Sequence, residues 1–404
     1  MDALGRRKEV HDPRGNVWHY RYDDRDRLTE IALPGPDTPT ITYTWDRNDQ
    51  LERVKDPTGK VTRYTYNDDL QLIKTLDPAG SATGYDYDTF GNLKTLTNAF
   101  NQPTTYTYDT LNRLRSVAYP GGDNEAYDYD AIGNLLTWKK GDSSTVTYGY
   151  DDANRLTSMR HSSVGTITYG YDVLSRRTSM QDPTGTTRWT YNDNSQVLTQ
   201  AVPRLGTLRF TYDRLNRLET LRDPQNQLTT YSWTDRNLMK SGSLDGQTVT
   251  YGYDSAGNLT STVYPNGVAL NQTFDGRNQL DQMEYVKGLS EPVLTLNYDY
   301  NKAGHVTRLT RNESSGSTRI LKYDYDPRYE LTQVQEKINT APLAVKETYG
   351  YDGNRNRTSA NGQSFFYNTA DQLTGGTASA SYNSNGAVTS LTLPGQGARS
   401  FTYN

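Results

Sequence analysis

The chain has 404 residues, of which 33% are apolar and 33 are tyrosine, and it contains no cysteine. The 43 Lys and Arg are interspersed with 47 Asp and Glu, and the net charge is -4. The sequence therefore shows no basic cluster that would indicate binding to a nucleic acid or an anionic membrane. The composition excludes disulfides and thiolate metal sites, and no apolar run approaches the roughly 20 residues of a membrane helix.

A tyrosine motif recurs from the beginning of the chain to its end. The repeat reads approximately T-Y-x-Y-D, then x-x-G-N/R-L, then a run of polar and apolar residues, and then D-P-x-G. From Trp45 to Phe274 each step is 20 or 21 residues, and the later steps are 26, 25, 26, 16, 15 and 21. Such a period indicates a repeat architecture, and we expect the irregular steps to lie in turns. The repeat-defining aromatics are Tyr22, Trp45, Tyr66, Tyr87, Tyr108, Tyr129, Tyr150, Tyr171, Tyr191, Tyr212, Trp233, Tyr253, Phe274, Tyr300, Tyr325, Tyr351, Tyr367, Tyr382 and Tyr403.

Two turn signals divide each repeat. The D-P-x-G signal begins with Asp12 and recurs at Asp56, Asp77 and Asp182. Proline presets φ and glycine accepts positive φ, so these segments predict tight turns. The second signal, as in DTFGNL at Asp88, also predicts a hairpin turn. The predicted turn residues are Asp56, Pro57, Gly59, Asp77, Pro78, Gly80, Asp182, Pro183 and Gly185.

Two turns per 21 residues leave room for two strands of about five to seven residues. Tight hairpin chemistry favours antiparallel pairing over a parallel β-helix, and the period is too short for a propeller blade. Tyr106 and Tyr108 should share one face of the sheet. Leu114 and Val117 are three apart, which predicts a β-bulge or apolar patches on both faces.

The predicted fold is therefore all-β, with antiparallel hairpin repeats in one continuous sheet. A sheet of about 38 strands does not stay flat, so we expect it to curl into a spiral. No segment of linker composition interrupts the repeats. Residues 1–404 are predicted to form a single solenoid-like domain.

The combination of Y-x-Y-D and G-N/R-L at this period resembles the YD repeats of the Rhs family. Residues 85–109 (YDYDTFGNLKTLTNAFNQPTTYTYD) and 251–267 (YGYDSAGNLTSTVYPNG) satisfy every position of the repeat. The family includes bacterial polymorphic toxins, the C components of insecticidal toxin complexes and the teneurins. The resemblance implies a hollow YD-repeat shell, which in the toxins encloses a C-terminal toxic domain.

The chain departs from the family pattern in two respects. Many family toxins cleave themselves near a D-P-x-G-L motif, but here Asn16, Lys60, Ser81 and Thr186 follow the four D-P-x-G segments. The first and last repeats are also incomplete, because Met1 stands where an aromatic belongs and the sequence ends within a repeat. We therefore expect a shell segment that is truncated in mid-repeat at both ends.

The sequence predicts no catalytic, cofactor-binding or metal-binding residue. His11, His19, His161 and His305 fall in different repeats, and turn or surface positions account for them. Carboxylate pairs such as Asp86 and Asp88 arise whenever the variable position of Y-x-Y-D is Asp, and a calcium site needs further oxygen ligands.

Two functions follow. The first is a non-enzymatic scaffold that encapsulates and protects a toxin or other cargo polypeptide. The alternative is a carbohydrate-binding or adhesion module that uses the tyrosine face. The expected partners are the cargo, a glycan under the alternative, and further copies paired through exposed strand edges. The charged segment at residues 1–12 gives no conventional export signal, so export or surface display is expected only as part of a larger bacterial protein.

Overall fold

The computed structural model describes residues 1–288, 291–382, 387–393 and 396–401. Tyr403, the last of the predicted aromatics, lies outside them. Within the described residues no helix is long and apolar enough to cross a membrane. The strands are β1 (Glu9–His11), β2 (Val17–Tyr22), β3 (Leu28–Ala32), β4 (Thr40–Trp45), β5 (Leu51–Lys55), β6 (Val61–Tyr66), β7 (Leu72–Leu76), β8 (Ala82–Tyr87), β9 (Leu93–Thr97), β10 (Pro103–Tyr108), β11 (Leu114–Ala118), β12 (Asn124–Tyr129), β13 (Leu135–Lys139), β14 (Thr145–Tyr150), β15 (Leu156–His161), β16 (Gly165–Tyr171), β17 (Arg177–Asp182), β18 (Gly185–Tyr191), β19 (Val197–Val202), β20 (Gly206–Tyr212), β21 (Leu218–Arg222), β22 (Leu228–Trp233), β23 (Met239–Leu244), β24 (Gln247–Tyr253), β25 (Leu259–Val263), β26 (Val268–Phe274), β27 (Leu280–Lys287), β28 (Glu291–Tyr300), β29 (Val306–Glu313), β30 (Thr318–Tyr325), β31 (Leu331–Ile338), β32 (Ala344–Tyr351), β33 (Arg357–Ala360), β34 (Gln363–Tyr367), β35 (Leu373–Gly376), β36 (Ser379–Tyr382), β37 (Val388–Thr392) and β38 (Arg399–Ser400).

Consecutive strands pair in antiparallel fashion along almost the whole chain. The first 35 strands form one sheet, and β36 to β38 form a sheet of three strands. Each repeat contributes two strands, and every pairing in the described residues joins sequence neighbours. The predicted all-β ribbon of antiparallel hairpins is confirmed.

A β-bulge follows nearly every repeat aromatic. Thr107 lies opposite Ser116, whereas the next residue, Tyr108, lies opposite Leu114, so that Arg115 is the extra residue. A bulge moves the side chains beyond it to the other face. Leu114 and Val117 consequently lie on the same face as the tyrosines, which confirms the first of the two predicted arrangements.

Most turns are compact and contain one residue with positive φ, whereas the loop of Asp245 and Gly246 contains two. In the turn from Asp56 to Lys60, the N–H of Gly59 donates to the carbonyl of Asp56 at 2.9 Å, and the N–H of Asp56 donates to the carbonyl of Lys60 at 2.9 Å. Gly59 has a φ of 92°. In the regular part of the chain, Asp182 pairs directly with Gly185 and Leu244 pairs directly with Gln247. These two-residue loops account for the repeats of 20 rather than 21 residues. Ala360 pairs with Gln363 in the same way within the 16-residue repeat.

The prediction that the irregular steps lie in turns is wrong. The repeats of 25 and 26 residues have strands of eight to ten residues, from β27 to β32, whereas β33 to β36 have four or five. Adding residues to both strands of a hairpin extends the backbone ladder. The five-residue turn after each repeat aromatic is kept in the longer repeats, as at Asp275–Gln279 and Asp326–Glu330. The opposite turns do vary in length, but the added residues of the longer repeats lie in the strands.

The ribbon has little conventional core. The buried apolar side chains among the described residues are Ala32, Val117, Val146, Leu270, Val286, Val334, Phe365 and Ala378. Most other side chains are half-buried against neighbours on the same face of the sheet. A single-layer ribbon of this kind depends on backbone ladders and cross-strand pairs rather than on a packed interior.

The ribbon also curls until its two edges meet. The tyrosine-turn edge carries the turns that follow the repeat aromatics, such as Asp109–Arg113, and the proline-turn edge carries the opposite turns, such as Asp56–Lys60. We call the line where the proline-turn edge of residues 12–123 meets the tyrosine-turn edge of residues 254–372 the seam. Its contacts include Ser255 Oγ to Pro13 O (2.9 Å), Arg14 Nη2 to Phe274 O (2.6 Å), Lys302 Nζ to Asp37 Oδ2 (3.5 Å), Lys60 Nζ to Asp326 O (2.7 Å), Ala99 N to Asn354 Oδ1 (3.1 Å) and Thr369 Oγ1 to Pro120 O (3.3 Å).

The seam gives the length of one winding. Its hydrogen bonds join residues that are between 242 and 273 positions apart, which is about twelve repeats. The first winding therefore meets the second after about 24 strands, and the predicted spiral is confirmed.

Candidate functional site

The predicted repeat aromatics occupy one structural position. Each of them is the last residue of an even-numbered strand, immediately before the tyrosine turn. They are Tyr22, Trp45, Tyr66, Tyr87, Tyr108, Tyr129, Tyr150, Tyr171, Tyr191, Tyr212, Trp233, Tyr253, Phe274, Tyr300, Tyr325 and Tyr351. Tyr367 and Tyr382 end β34 and β36 in the same way.

The hydroxyl of this tyrosine links its repeat to the preceding one. Tyr108 Oη donates to the carbonyl of Leu93, the first residue of β9, at 2.9 Å. Backbone pairing between β9 and β10 starts only at Thr95, two residues after Leu93. The tyrosine hydroxyl therefore supplies a donor to Leu93, which lies beyond the end of the backbone ladder. The same bond is made by Tyr66 to Leu51 (3.1 Å), Tyr87 to Leu72 (2.8 Å), Tyr129 to Leu114 (2.9 Å), Tyr150 to Leu135 (3.0 Å), Tyr171 to Leu156 (2.8 Å), Tyr191 to Arg177 (2.6 Å), Tyr212 to Val197 (2.9 Å), Tyr253 to Met239 (2.9 Å), Tyr300 to Leu280 (2.7 Å) and Tyr325 to Val306 (2.7 Å).

Tryptophan replaces tyrosine at this position without loss of the donor. Trp45 Nε1 donates to the carbonyl of Leu28 at 2.7 Å, and Trp233 Nε1 donates to the carbonyl of Leu218 at 2.8 Å. Phe274 occupies the position without a donor. The repeat thus selects a flat ring with a polar hydrogen at its far end, which sequence analysis had described only as an aromatic.

The aspartate after the aromatic organises the tyrosine turn. Asp109 Oδ1 accepts the backbone N–H groups of Leu111 and Arg113, and Oδ2 accepts Arg113 Nε at 2.7 Å. The same guanidinium donates to the carbonyl of Asp130 in the next repeat at 2.7 Å and lies 4.8 Å from the centre of the Tyr129 ring. Aspartate, arginine and the next aromatic therefore form one link between repeats.

Titration behaviour follows from these contacts. The backbone N–H and the guanidinium of Arg113 hold the pKa of Asp109 below its ordinary value. Burial raises the pKa of Tyr108, with a smaller contribution from Asp88. Asp109 and the equivalent turn aspartates already accept several hydrogen bonds within their own turns. This structural role accounts for them without acid-base catalysis or metal binding.

The predicted proline-turn residues divide into two groups. One group, in the seam, is Asp56, Pro57, Gly59, Asp77, Pro78 and Gly80. The other group is Asp182, Pro183 and Gly185, on a part of the proline-turn edge that is not covered by a second winding within the residues the structure describes. Asp56 and Asp77 each accept two backbone N–H groups of their own turn through Oδ1. Their remaining oxygens face the second winding.

A cluster around Tyr329 is the most extensive side-chain site of the seam. Tyr329 Oη lies 2.5 Å from Asp56 Oδ2 and 2.5 Å from Thr58 Oγ1. Lys60 Nζ lies 3.4 Å from the centre of the Tyr329 ring, and the His305 ring stacks on the other side at 3.9 Å. The ring is thus held between a cation and an imidazole, with its hydroxyl on a carboxylate.

The ionisable groups of this cluster are perturbed. Burial and the contact with Asp56 raise the pKa of Tyr329 to about 12. Partial burial alone would raise the pKa of Asp56, but hydrogen bonds from Tyr329 and Thr58 bring it below its ordinary value. Burial, reinforced by the nearby Lys60, lowers the pKa of His305.

Arg328 forms a second group of contacts beside the cluster. Its side chain is only 6% exposed, and its guanidinium lies 3.0 Å from Glu330, 3.3 Å from Asp326 and 3.9 Å from Asp77 across the seam. Burial raises the pKa of Glu330. The nearly buried guanidinium is held by two carboxylates of its own turn and lies near Asp77 across the seam, so it helps to position the two windings.

Sequence analysis did not identify His305, Arg328 or Tyr329 as site residues. His305 does lie in a turn, as predicted, but its ring is part of the cluster. The sequence contained one usable signal, because YDPRYE places Tyr329 where most repeats have glycine, asparagine, aspartate or serine. Its φ of 67° is unusual for a bulky aromatic, and such positions mark local constraint.

Comparison with known families finds two matching models. The Teneurin YD-shell model matches residues 60–201 and 267–404, which is more than half of the chain, and the RHS repeat model matches residues 2–38 and 237–269. No curated protein sequence matches the chain significantly.

Solved structures of similar fold come from toxin complexes. The Tc holotoxin pore of Photorhabdus luminescens superimposes with a TM-score of 0.62 at 13% identity, over 98% of this chain and 24% of that chain. The TcdB2–TccC3–TEV structure gives 0.62 at 12% identity, over 94% and 26%. The complex of TcdB2, TccC3 and Cdc42 gives 0.61 at 12% identity, over 93% and 28%. The chain thus spans about a quarter of the length of these neighbours.

Proposed function

The chain belongs to the YD-shell family of RHS-repeat proteins, and from this we propose that it is a non-enzymatic shell segment that encloses and protects a cargo or toxin polypeptide. The observation that carries the proposal is the seam. A ribbon that returns to its own edge surrounds a space, whereas an open ribbon does not. The cargo is expected to be part of the same full-length protein.

The dimensions of one winding are compatible with this function. About 24 strands spaced roughly 4.8 Å apart give a perimeter of about 115 Å, and hence a diameter of about 37 Å if the winding is circular. Side chains occupy about 5 Å on the inner side, which is half of the usual distance between packed sheets. The remaining width is sufficient for a folded hairpin or an extended chain.

A structural role also accounts for the polar groups of the repeats. The aspartates accept backbone N–H groups in their own turns, and the perturbed groups around Tyr329 make contacts between windings. The repeat tyrosines donate their hydroxyl hydrogens to carbonyls of the ribbon, so those hydrogens are already engaged and not free to donate to a sugar. These contacts favour the scaffold over the glycan-binding alternative.

We propose further that residues 1–404 act as one domain of a larger bacterial protein that is exported or displayed at the cell surface. The neighbours in the solved structures belong to toxin complexes, which supports this placement. Self-association through exposed strand edges stays a prediction. The first strand, β1, is only three residues long, which limits the ladder available at that end.

Encapsulation is tested with a flexible, protease-sensitive peptide fused after Asn404. We expect the fused peptide to be cut at least tenfold more slowly than the same peptide free in solution. A matched fusion that carries Lys60→Ala and Tyr329→Ala, which weaken the seam, should lose much of this protection. Equal cleavage of the fused and free peptides would contradict enclosure. Saturable quenching of tyrosine fluorescence by oligosaccharides would instead support the glycan-binding alternative.

A further inference from the structure

Four exposed cations meet on one face of strands β5, β6 and β7. This face lies opposite the repeat aromatics and is rich in threonine and serine, and we call it the threonine face. Arg53 pairs directly with Arg63, and Lys74 pairs directly with Thr65. Lys55 shares the face with Arg53, because alternate residues of a strand lie on the same side of the sheet. All four cations are exposed, and we call Arg53, Lys55, Arg63 and Lys74 the basic patch.

Three of these cations have no carboxylate partner. Arg53 Nη2 lies 2.8 Å from Glu52 Oε1, which balances its charge. Within the described residues, the side chains of Lys55, Arg63 and Lys74 form no ion pair and no hydrogen bond. Their charges are balanced by solvent alone, so the patch has a local excess of positive charge in a chain whose net charge is -4.

The carboxylates that flank the patch on the threonine face have cations of their own. Glu30 in β3 lies directly opposite Arg21, with 3.4 Å between Oε1 and Nη1. Asp86 in β8 lies 3.7 Å from the Nζ atom of Lys94. Opposite charges on neighbouring strands stabilise a sheet. The ribbon therefore matches its charges on both sides of the patch and leaves the patch itself unmatched.

The pairing of Arg53 with Arg63 departs from the pattern of the repeat. Most equivalent pairs are uncharged, including Thr95 with Thr105, Thr137 with Thr147 and Thr220 with Thr230. Within the described residues, the other like-charge pair at this position is Arg308 with Lys322, which is accompanied by Asp299 and Asp324 on the same face. Like charges directly opposite each other destabilise a sheet. The stability of the hairpins does not account for Arg53 opposite Arg63, whereas an anionic partner does.

The basic patch does not form a cluster in the sequence. Arg63 follows Arg53 by ten positions, and Lys74 follows Arg63 by eleven. Hairpin pairing brings them onto neighbouring strands, which lie about 4.8 Å apart. The patch is therefore a product of the fold, and the interspersed charges of the sequence do not show it.

We propose that the basic patch binds an extended acidic segment of a polypeptide. Guanidinium groups donate paired hydrogen bonds to carboxylates, so arginine suits such a partner. Arg53 and Lys55 are two residues apart in one strand, which places them about 6.6 Å apart along it. Alternate carboxylates of an extended peptide have the same spacing, so a peptide aligned with β5 meets both cations. Thr44 lies opposite Arg53 and Thr65 lies opposite Lys74, and these threonines add hydroxyl donors to the surface.

The composition of the threonine face favours a polypeptide over a nucleic acid. In strands β4 to β8 the aromatic residues all lie on the other face, so the threonine face there contains no ring. Proteins that bind single-stranded nucleic acids provide aromatic side chains on which the bases stack. The patch provides charged and hydroxyl groups alone. This inference is independent of the encapsulation proposed above, because peptide binding is measured without a cargo.

The test is the fluorescence anisotropy of a short labelled peptide, in which Glu alternates with Thr, during titration with the 404-residue chain. The patch variant carries Arg63→Thr and Lys74→Thr. Threonine already occupies the equivalent positions at Thr105 and Thr95, so these substitutions are compatible with the fold.

The control variant carries Lys139→Thr and Arg160→Thr. It removes the same amount of charge from exposed positions of the threonine face in β13 and β15, outside the patch. A second peptide, with Gln in place of every Glu, shows whether the carboxylates of the ligand are required.

We expect saturable binding of the Glu peptide that weakens as the salt concentration rises, because ions screen exposed charges. The patch variant should raise the dissociation constant roughly tenfold, and the control variant should change it by less than about twofold. The Gln peptide should not bind. The patch variant should melt at or above the temperature of the wild type, because Arg53 no longer faces a second arginine.

The proposal is overturned if the Glu peptide does not bind, or if the control variant weakens binding as much as the patch variant does. It is also overturned if a single-stranded oligonucleotide, or a vesicle that contains phosphatidylserine, binds the patch more tightly than the peptide. A patch variant that melts well below the wild type would contradict it as well, because the two cations would then serve the stability of the hairpins.

Discussion

The hydroxyl of Tyr329 lies 2.5 Å from Oδ2 of Asp56, a residue 273 positions earlier in the chain. This bond joins a tyrosine turn of the second winding to a proline turn of the first. Tyr329 has a φ of 67°, in the left-handed region that the repeats otherwise assign mainly to glycine, asparagine, aspartate or serine. The cost of placing a bulky residue there is offset by contacts that exist only when the windings are together. Closure of the ribbon and local backbone geometry are therefore coupled at this residue.

Loss of the Tyr329 hydroxyl should loosen the seam without unfolding the hairpins. We expect Tyr329→Phe to weaken the contact by about 1 kcal/mol, since the bond to Asp56 is partly exposed to water. Amide hydrogen exchange in residues 56–60 and 326–330 should then accelerate about fivefold. Exchange in β9 to β12 should not change.

The matched control for that variant is Tyr108→Phe, which removes a hydroxyl bond within the ribbon. Its effect should be confined to the neighbouring hairpins. If Tyr329→Phe accelerates exchange equally in all repeats, the seam is not an independent unit of stability. A double-mutant cycle with Asp56→Asn should show that the two effects are not additive.

Acidification should weaken the seam through His305. Burial lowers the pKa of His305 below its ordinary value of 6.5 in the folded state. The unfolded chain then binds more protons, so stability falls as the pH drops from about 6.5 toward the lower folded pKa. Asp56, whose pKa is also lowered, loses its contribution only at more acidic pH, below its ordinary value of 3.8.

One neighbour, Glu330, complicates this profile, and a variant resolves it. Glu330 has a raised pKa and gains stability on acidification, which partly opposes the effect of His305. His305→Phe keeps a ring against Tyr329 and removes the titrating group. The melting temperature of the wild type should therefore fall relative to this variant between pH 7 and pH 5. Parallel profiles for the two proteins would show that His305 does not titrate in the seam.

The parts of the fold that depend on local sequence could be predicted, and the contacts between windings could not. The turns follow from Asp, Pro, Gly and Asn at fixed offsets, and the bulge follows from the spacing of Leu114 and Val117. The meeting of Asp56 and Tyr329 does not follow from such signals. Similar turns recur in every repeat, and which two meet depends on a small twist per strand summed over about 24 strands.

The seam also explains why the extra residues of the longer repeats lie in strands and not in turns. Extra residues usually lie in loops, but here the tyrosine turns from Asp275 to Asp352 must pack against another winding. Lengthening β27 to β32 preserves the form of these turns, whereas a longer turn would disturb the seam contacts. The constraint is tertiary, and so the local sequence did not reveal it.

Replacement of the repeat tyrosine by tryptophan should cost less stability than replacement by phenylalanine. Tyr108→Phe removes the donor to the carbonyl of Leu93 and should cost about 1 kcal/mol. Tyr108→Trp should recover part of this loss, because Trp45 and Trp233 make the equivalent bond through Nε1. Denaturant midpoints of the three proteins test the order Tyr, Trp, Phe. Equal midpoints for Tyr and Phe would show that ring packing alone determines the repeat.

The arginine link between repeats should tolerate asparagine better than leucine. Arg217 Nε donates to Asp213 at 2.7 Å, and Nη1 donates to the carbonyl of Thr234 and to Asn237 Oδ1. In another repeat Asn258 Nδ2 makes the corresponding contacts, to Asp254 at 2.9 Å and to Asn278 Oδ1 at 3.0 Å.

In the Arg217→Asn variant, the new side-chain amide can donate to Asp213 and to Asn237, as Asn258 does to Asp254 and Asn278. In the Arg217→Leu variant, Asp213 and the Thr234 carbonyl lose the side-chain donor of residue 217. We therefore expect the melting temperature to decrease in the order wild type, Arg217→Asn, Arg217→Leu. The carboxylate of Asp213 is stabilised in its charged form by Arg217, so the difference between wild type and Arg217→Leu should shrink as the pH falls below its ordinary pKa of 3.8. A leucine variant as stable as the asparagine variant at pH 7 would show that the stem of the side chain, rather than its donors, connects the two repeats.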